Sequence, residues 1–290
     1  MSTSTLGNAG LPAGQSAQAM ADRAGNTIRA VDRAIALLCA FSRETPALGV
    51  TELAERLNLT KSTVHRLLQV LMAHGLVAQD PSRRHYTLGY RILALARGVP
   101  GEAELCSICQ PHMRALREAT QETVALYGAA GDVRVCLEEF ESPQVLRMAA
   151  GLGRCFPLDR GSASYALLID GPEGEQWHRV TSQLPPERQQ QLLRTVEAAR
   201  ERGYAVTSGE TVAGAASIAT PIRGADDAVV AALSIGGPVS RFTDAAIVCY
   251  TEALLEAVAR VQRDLDAAWK QTGLAPAVSS HAKGGGDRQP

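Results

Sequence analysis

The chain has 290 residues, and its 46% hydrophobic content is enough for a core in each of two domains. The net charge of -1 hides an asymmetry: residues 27 to 91 hold nine Lys and Arg against five Asp and Glu, whereas residue 92 onward holds 19 against 24. The first module therefore suits a polyanion. The chain lacks an apolar run of about eighteen residues for a membrane span, and its start lacks the basic and apolar pattern of an export signal, so a cytoplasmic protein without a membrane partner is expected.

Residues 1 to 26, rich in Ser, Ala, Gly and Thr, read as a disordered extension, and residues 271 to 290, with Gly284-Gly285-Gly286, as a flexible tail. Between them a first helix is predicted near Ile28 to Phe41, where Val31, Ala34, Ile35, Leu38 and Cys39 recur at three and four residues. Pro46 and Gly49 break it. Thr51 is placed to cap a short helix over Glu52 to Leu57, Asn58 and Leu59 to turn, and Thr60 to cap a second helix from Lys61 to about His74, closed by Gly75. Leu76 to Gln79 and His85 to Leu88 read as two strands around the turn Asp80-Pro81-Ser82-Arg83-Arg84, which makes a wing. A winged helix-turn-helix over residues 27 to 89 follows, joined by a linker helix in residues 90 to 101 to a second domain over residues 102 to 270.

The second domain opens with a helix to about Thr120, followed by strands at Thr123 to Tyr127 and Asp132 to Phe140. Later strands are predicted at Ala216 to Ile222 and Val229 to Ile235, and helices near Ser162 to Ile169, Glu187 to Arg202 and Asp244 to Trp269. Strands in meander-like pairs flanked by helices define an α+β domain rather than a doubly wound sheet.

Major-groove reading needs a short exposed helix with small polar and basic side chains in its first turns, held by an apolar face. Residues 60 to 71 have that pattern. Val64, Leu67, Leu68 and Leu71 form the inner stripe, leaving Thr60, Lys61, Ser62, Thr63, His65 and Arg66 to face an operator in double-stranded DNA. Hydroxyls can bind phosphate or base edges, and Arg66 can clamp a guanine or neutralise a phosphate. The wing adds Arg83, Arg84 and His85 beside Tyr86.

The six cysteines lack a disulfide framework. Cys106, Cys109 and His112 recur every three residues and are the one candidate metal or redox cluster, although no fourth ligand is evident. Small residues at a helix contact explain the same spacing. Nucleophile-elbow, zinc-protease, P-loop and dinucleotide fingerprints are missing, so no catalytic residues, metal or cofactor are assigned.

Val50-Thr51-Glu52-Leu53-Ala54 followed by Lys61-Ser62-Thr63-Val64-His65-Arg66-Leu67-Leu68 resembles the IclR family of bacterial regulators. The second domain agrees through Arg202-Gly203-Tyr204-Ala205-Val206, Ile218-Ala219-Thr220-Pro221-Ile222 and residues 230 to 238. The likeness spans about residues 27 to 267 in one consistent order. It implies a GAF-like effector domain, a homodimer that can pair into a homotetramer, and control of catabolic or biosynthetic genes by a small organic-acid effector. Repressors and activators both occur in the family. By position it implies a pocket formed by Met148, Ser162, Ala163, Thr207, Ser217 and Ser234, where hydroxyls and exposed backbone N–H groups hold a carboxylate and Met148 packs on its carbon skeleton.

The chain departs from the family where a ligand would be identified. Asp159-Arg160-Gly161-Ser162-Ala163-Ser164-Tyr165 stands where the family often reads His-Ala-Thr/Ser-Ala/Gly-x-Gly-Lys; Ser217 replaces a frequent cysteine, Thr207 a frequent acidic residue and Gly236 a frequent serine. Two alternatives keep the DNA-binding end: a redox or metal sensor using Cys106 and Cys109, and a ligand-free assembly domain.

Overall fold

The computed structural model describes residues 29–42, 45–80, 82–96, 98 and 101–272. The predicted extension over residues 1 to 26, the start of the first helix at Ile28, Pro81 in the wing turn and nearly all of the predicted tail lie outside these residues.

The N-terminal unit is built from α1 (Arg29–Cys39), α2 (Val50–Leu57), α3 (Lys61–Ala73) and the antiparallel hairpin β1 (Val77–Asp80) and β2 (His85–Leu88). Leu37, Leu48, Leu53, Val64, Leu68, Val77 and Tyr86 fill its core. Leu48 and Tyr86 exchange backbone hydrogen bonds of 3.0 and 2.9 Å, which ties the segment before α2 to the wing. Tyr86 therefore points inward and is not presented beside the wing arginines.

Asn58 makes the turn between α2 and α3 in a left-handed conformation (φ 51°), which its short polar side chain tolerates. Thr60 caps α3, its Oγ1 accepting the Thr63 N–H at 3.3 Å. Gly75 (φ 69°) ends α3 with Gly75 N–H donating to the Met72 carbonyl and Leu76 N–H to the Leu71 carbonyl, both at 2.9 Å, the paired bonds of a Schellman motif. The predicted cap at Thr51 is corrected. The helix starts two residues earlier, at Val50, so Gly49 is its cap, and the Glu52 carboxylate reaches back to the Gly49 N–H at 2.7 Å.

After α4 (Arg91–Ala96), α5 (Glu102–Thr120) leads into β3 (Thr123–Ala130), β4 (Val133–Phe140) and β5 (Cys155–Pro157). Next come α6 (Ser162–Leu167), α7 (Glu175–Thr181), α8 (Pro186–Arg202), β6 (Ala205–Ser208), β7 (Ala215–Arg223), β8 (Val229–Pro238) and α9 (Asp244–Thr272). The six strands form one antiparallel sheet in the order β5-β4-β3-β8-β7-β6. Two edge strands, β5 and β6, and the helix α7 were not predicted.

Alternation along the strands sorts the two faces. Val124, Leu126, Ile218, Leu233 and Ile235 pack under α5 and α9, against Leu105, Met113, Leu254 and Val261. Ala125, Tyr127, Cys136, Ala219 and Ala232 face α6, α7 and α8. Apart from Tyr127, the strand residues of the second face are smaller, and the space they leave becomes the pocket.

Candidate functional site

Pairing register brings small residues of four strands into rows across the second face. Thr123 lies opposite Gly236, Gly236 opposite Ser217, and Ser217 opposite Thr207. The next row on that face runs Ala125, Ser234, Ala219 and Ala205. Between these rows, the start of α6 and the loop carrying Met148 lies a pocket of about 100 Å³, many times the roughly 10 to 15 Å³ that one water needs. All six residues named from the resemblance, Met148, Ser162, Ala163, Thr207, Ser217 and Ser234, line it.

Three of its hydroxyls are joined. Ser162 Oγ lies 2.7 Å from Ser217 Oγ, which lies 3.2 Å from Thr207 Oγ1, and Thr207 Oγ1 accepts the Ser162 N–H at 3.1 Å. Three hydroxyl protons serve two hydroxyl–hydroxyl contacts, which leaves one donor for another acceptor. The expectation that the backbone N–H groups before α6 are exposed is corrected: Ser162 N–H is taken by Thr207, and Gly161 N–H donates to Glu210 Oε2 at 3.2 Å. Ser234 Oγ makes a long 3.4 Å contact with the Ala125 carbonyl. Gly236 has open room; an added Cβ would meet Ser217 Cβ only at 3.8 Å.

The sequence reading missed Arg134, Tyr127, Phe156 and Glu210, which also line the pocket. Arg134 is buried on β4 at 5% exposure, and its Nη1 donates to the carbonyls of Pro157 (2.9 Å) and Arg160 (2.7 Å) and to Ser164 Oγ. Burial pulls its guanidinium below the ordinary arginine range, and arginine is basic enough to stay charged. Glu210, exposed at the rim, accepts from the Tyr165 hydroxyl at 2.6 Å. Burial, then that bond, push the Tyr165 phenol up. Asp159 and Arg160 pair with each other at 3.1 and 3.2 Å.

On the N-terminal unit, Thr60, Lys61, Ser62, His65 and Arg66 are exposed along one side of α3 and Thr63 is half-buried. Thr60 Oγ1 also contacts the hydroxyls of Ser62 (3.0 Å) and Thr63 (2.9 Å). Arg83 and Arg84 are exposed at the hairpin turn. Asp80 braces that turn by accepting from Ser82 Oγ (2.6 Å), Ser82 N–H (2.8 Å) and Arg83 N–H (3.3 Å); the Ser82 hydroxyl chiefly holds its carboxyl below the usual range. His85 Nδ1 turns back to the Arg83 carbonyl at 2.7 Å.

The cysteine cluster has different surroundings from those a thiolate needs. Burial, with Cys106 adding to it, pushes the Cys109 thiol up to about 12. His112 Nε2 lies 2.6 Å from Asp264 Oδ2. Among the described residues, no group of three or more His, Cys, Asp or Glu is placed to hold a metal ion.

A winged helix-turn-helix followed by a pocket-bearing sheet domain defines a DNA-binding transcriptional regulator. Residues 30–81 match the IclR helix-turn-helix domain and residues 99–263 the C-terminal domain of the bacterial transcriptional regulator IclR. The chain belongs to the IclR family. It is 27% identical over 245 residues to the HTH-type transcriptional regulator XynR of Escherichia coli, covering 82% of this chain and 97% of that one. It is 32% identical over 223 residues to the transcriptional repressor AllR of Escherichia coli, covering 74% and 82%. An IclR homolog from Microbacterium hydrocarbonoxydans, solved with 4-hydroxybenzoate, has the same fold, with a TM-score of 0.67 and 24% identity over 82% of this chain and 99% of that one. These relatives and both matching family models are those of transcriptional regulators. No helix among the described residues is long and apolar enough to cross a membrane.

Proposed function

We propose that the protein binds an operator in double-stranded DNA through α3 and the wing, and that a small organic acid in the sheet-domain pocket changes its affinity for that operator. Lys61, Ser62, Thr63, His65 and Arg66 enter the major groove, Thr60 holds the helix start at the backbone, and Arg83 and Arg84 neutralise flanking phosphates. The acid contacts Ser162, Ala163, Thr207, Ser217 and Ser234 and packs on Met148. The observation that carries this reading is the in-register row of Thr123, Gly236, Ser217 and Thr207, which opens a polar, hydroxyl-lined pocket inside an otherwise apolar layer. The bound 4-hydroxybenzoate of the Microbacterium homolog lends it support.

The regulator works in the cytoplasm as a homodimer. Exposed apolar residues on α1 (Val31, Ile35) and around α4 (Tyr90, Leu93, Leu95) suit a second copy. Two recognition helices then sit about 34 Å apart, one turn of DNA. Pairing of dimers into a tetramer follows the family pattern. Fluorescence anisotropy on the DNA flanking the protein's own gene, with and without benzoate, 4-hydroxybenzoate and butyrate, tests this. Salt-sensitive binding shifted by an acid is expected, and binding that no acid shifts would contradict it.

A further inference from the structure

Among the described residues, the buried Arg134 has no carboxylate paired with it. Its guanidinium lies between two aromatic rings, with Cζ 5.4 Å from the Tyr127 centroid and 5.1 Å from that of Phe156. All three of its hydrogen bonds leave from Nη1. Nε is buried with no partner, and no hydrogen bond to the described residues leaves from Nη2. No carboxylate of the described residues lies within 4.0 Å of the group: Asp159, whose charge favours the cation, is turned to Arg160 at 3.1 Å. Burying an unpaired charge is costly, and the three Nη1 bonds, which tie β4 to the segment before α6, leave that charge uncompensated.

The unspent donors are chemically specific. Nε–H and Nη2–H share one edge of the guanidinium, with the spacing that takes both oxygens of a carboxylate. Arg134 lines the pocket together with its two stacking rings. Glu210 also lines the pocket, at its rim, so the lining carries one positive and one negative charge. A single negative charge is matched there. A second would meet Glu210.

We propose that Arg134 is the charge-selecting residue of the pocket: its free edge pairs with the carboxylate of a small organic monoanion, admitting monocarboxylic acids and rejecting their neutral amides. This deepens the effector reading and rests on the same pocket.

The test uses the full chain. Melting midpoints are followed in increasing formate, butyrate and benzoate, and in the matching amides, at constant sodium concentration, for the unmodified protein, Arg134→Lys and Arg134→Met. Formate is small enough to reach any carboxylate site. The acids are expected to raise the midpoint and the amides to leave it, with apparent acid affinity at least tenfold weaker in both variants. Lysine keeps the charge but loses the side-on fork, so it weakens binding even if the methionine variant fails to fold. In the unmodified protein, the Arg134 Nε–H resonance is expected to move with the same formate dependence as the midpoint.

Equal stabilisation by acids and amides, no stabilisation by any acid, or unchanged affinity in Arg134→Lys would each overturn the proposal. An acid that shifts operator affinity equally in the unmodified protein and Arg134→Lys overturns it and leaves the regulatory reading standing. Arg134-dependent acid binding that leaves operator affinity unchanged does the reverse.

Discussion

Ser162 Oγ lies 2.7 Å from Ser217 Oγ, joining the first residue of α6 to the row of Thr123, Gly236, Ser217 and Thr207. That contact closes the pocket floor against the helix above it. It also makes Ser217 the shared member of a three-hydroxyl chain with Thr207.

Ser217→Ala removes that shared member. Acid affinity is expected to fall about 5- to 10-fold, the effect of one hydrogen bond worth roughly 1 kcal/mol. Thermal stability is expected to change little, because Ser162 N–H keeps Thr207 as acceptor. Calorimetric titration with whichever acid stabilises the unmodified protein, alongside a melting curve, checks both.

Two glycines of the pocket region should respond oppositely to alanine. At Gly236 the new Cβ makes only ordinary contacts, so Gly236→Ala is expected to fold within about 1 kcal/mol of the unmodified protein while reducing pocket volume. At Gly161 the φ of +89° is unfavourable to any L side chain, and the Cβ would stand 2.5 Å from Thr211 Oγ1 and 3.2 Å from Arg134 Nη2. Gly161→Ala is expected to cost about 1 to 3 kcal/mol, read from denaturant unfolding.

Lys61→Ala and Arg66→Ala remove exposed charges from α3 without touching its core stripe of Val64, Leu68 and Leu71. Each is expected to weaken operator binding, and each phosphate charge left unneutralised should lower the slope of log affinity against log salt by roughly 0.9. Anisotropy titrations at several salt concentrations measure this. An unchanged affinity and slope in the double variant would remove α3 from the interface.

Leu68 is fully buried, whereas Val70 on the same helix is 58% exposed. Leu68→Ala is expected to cost about 2 to 5 kcal/mol of stability and Val70→Ala within about 0.5 kcal/mol. Equilibrium unfolding separates them.

With its thiol pushed up to about 12 and no exposure, Cys109 is expected to resist iodoacetamide in the native protein at pH 8 and to react after denaturation. Mass spectrometry of the alkylated protein reads the difference. Rapid native modification would return the cysteine cluster to consideration as a redox site.

The N-terminal unit was legible because its signals are local: Thr60 as cap, Asn58 as turn and Gly75 as stop stand within a few residues of what they organise. The long strands β7 and β8 were legible through their apolar runs. β5 was not, being three residues ending in proline, nor β6, a four-residue edge strand directly after the Gly203 helix stop. Arg134 was hidden by the usual meaning of alternation. An arginine between Val133 and Val135 suggests a solvated face, yet β4 turns Arg134 inward and leaves both valines only half-buried. Its neighbours Tyr127 and Phe156 come from two other strands, so only the sheet register brings the three together. The six pocket residues were found by resemblance; their alignment into rows depends on cross-strand pairing that no short motif encodes.

The most direct test of coupling between operator and pocket is reciprocity between the two sites. The affinity of one stabilising acid is measured by calorimetry on the free protein and on the protein saturated with operator DNA, and operator affinity is measured with and without saturating acid. The same factor is expected in both experiments, typically 5- to 150-fold in magnitude, because coupling between two binding sites is mutual. An acid that binds with identical affinity whether or not operator DNA is bound would contradict it.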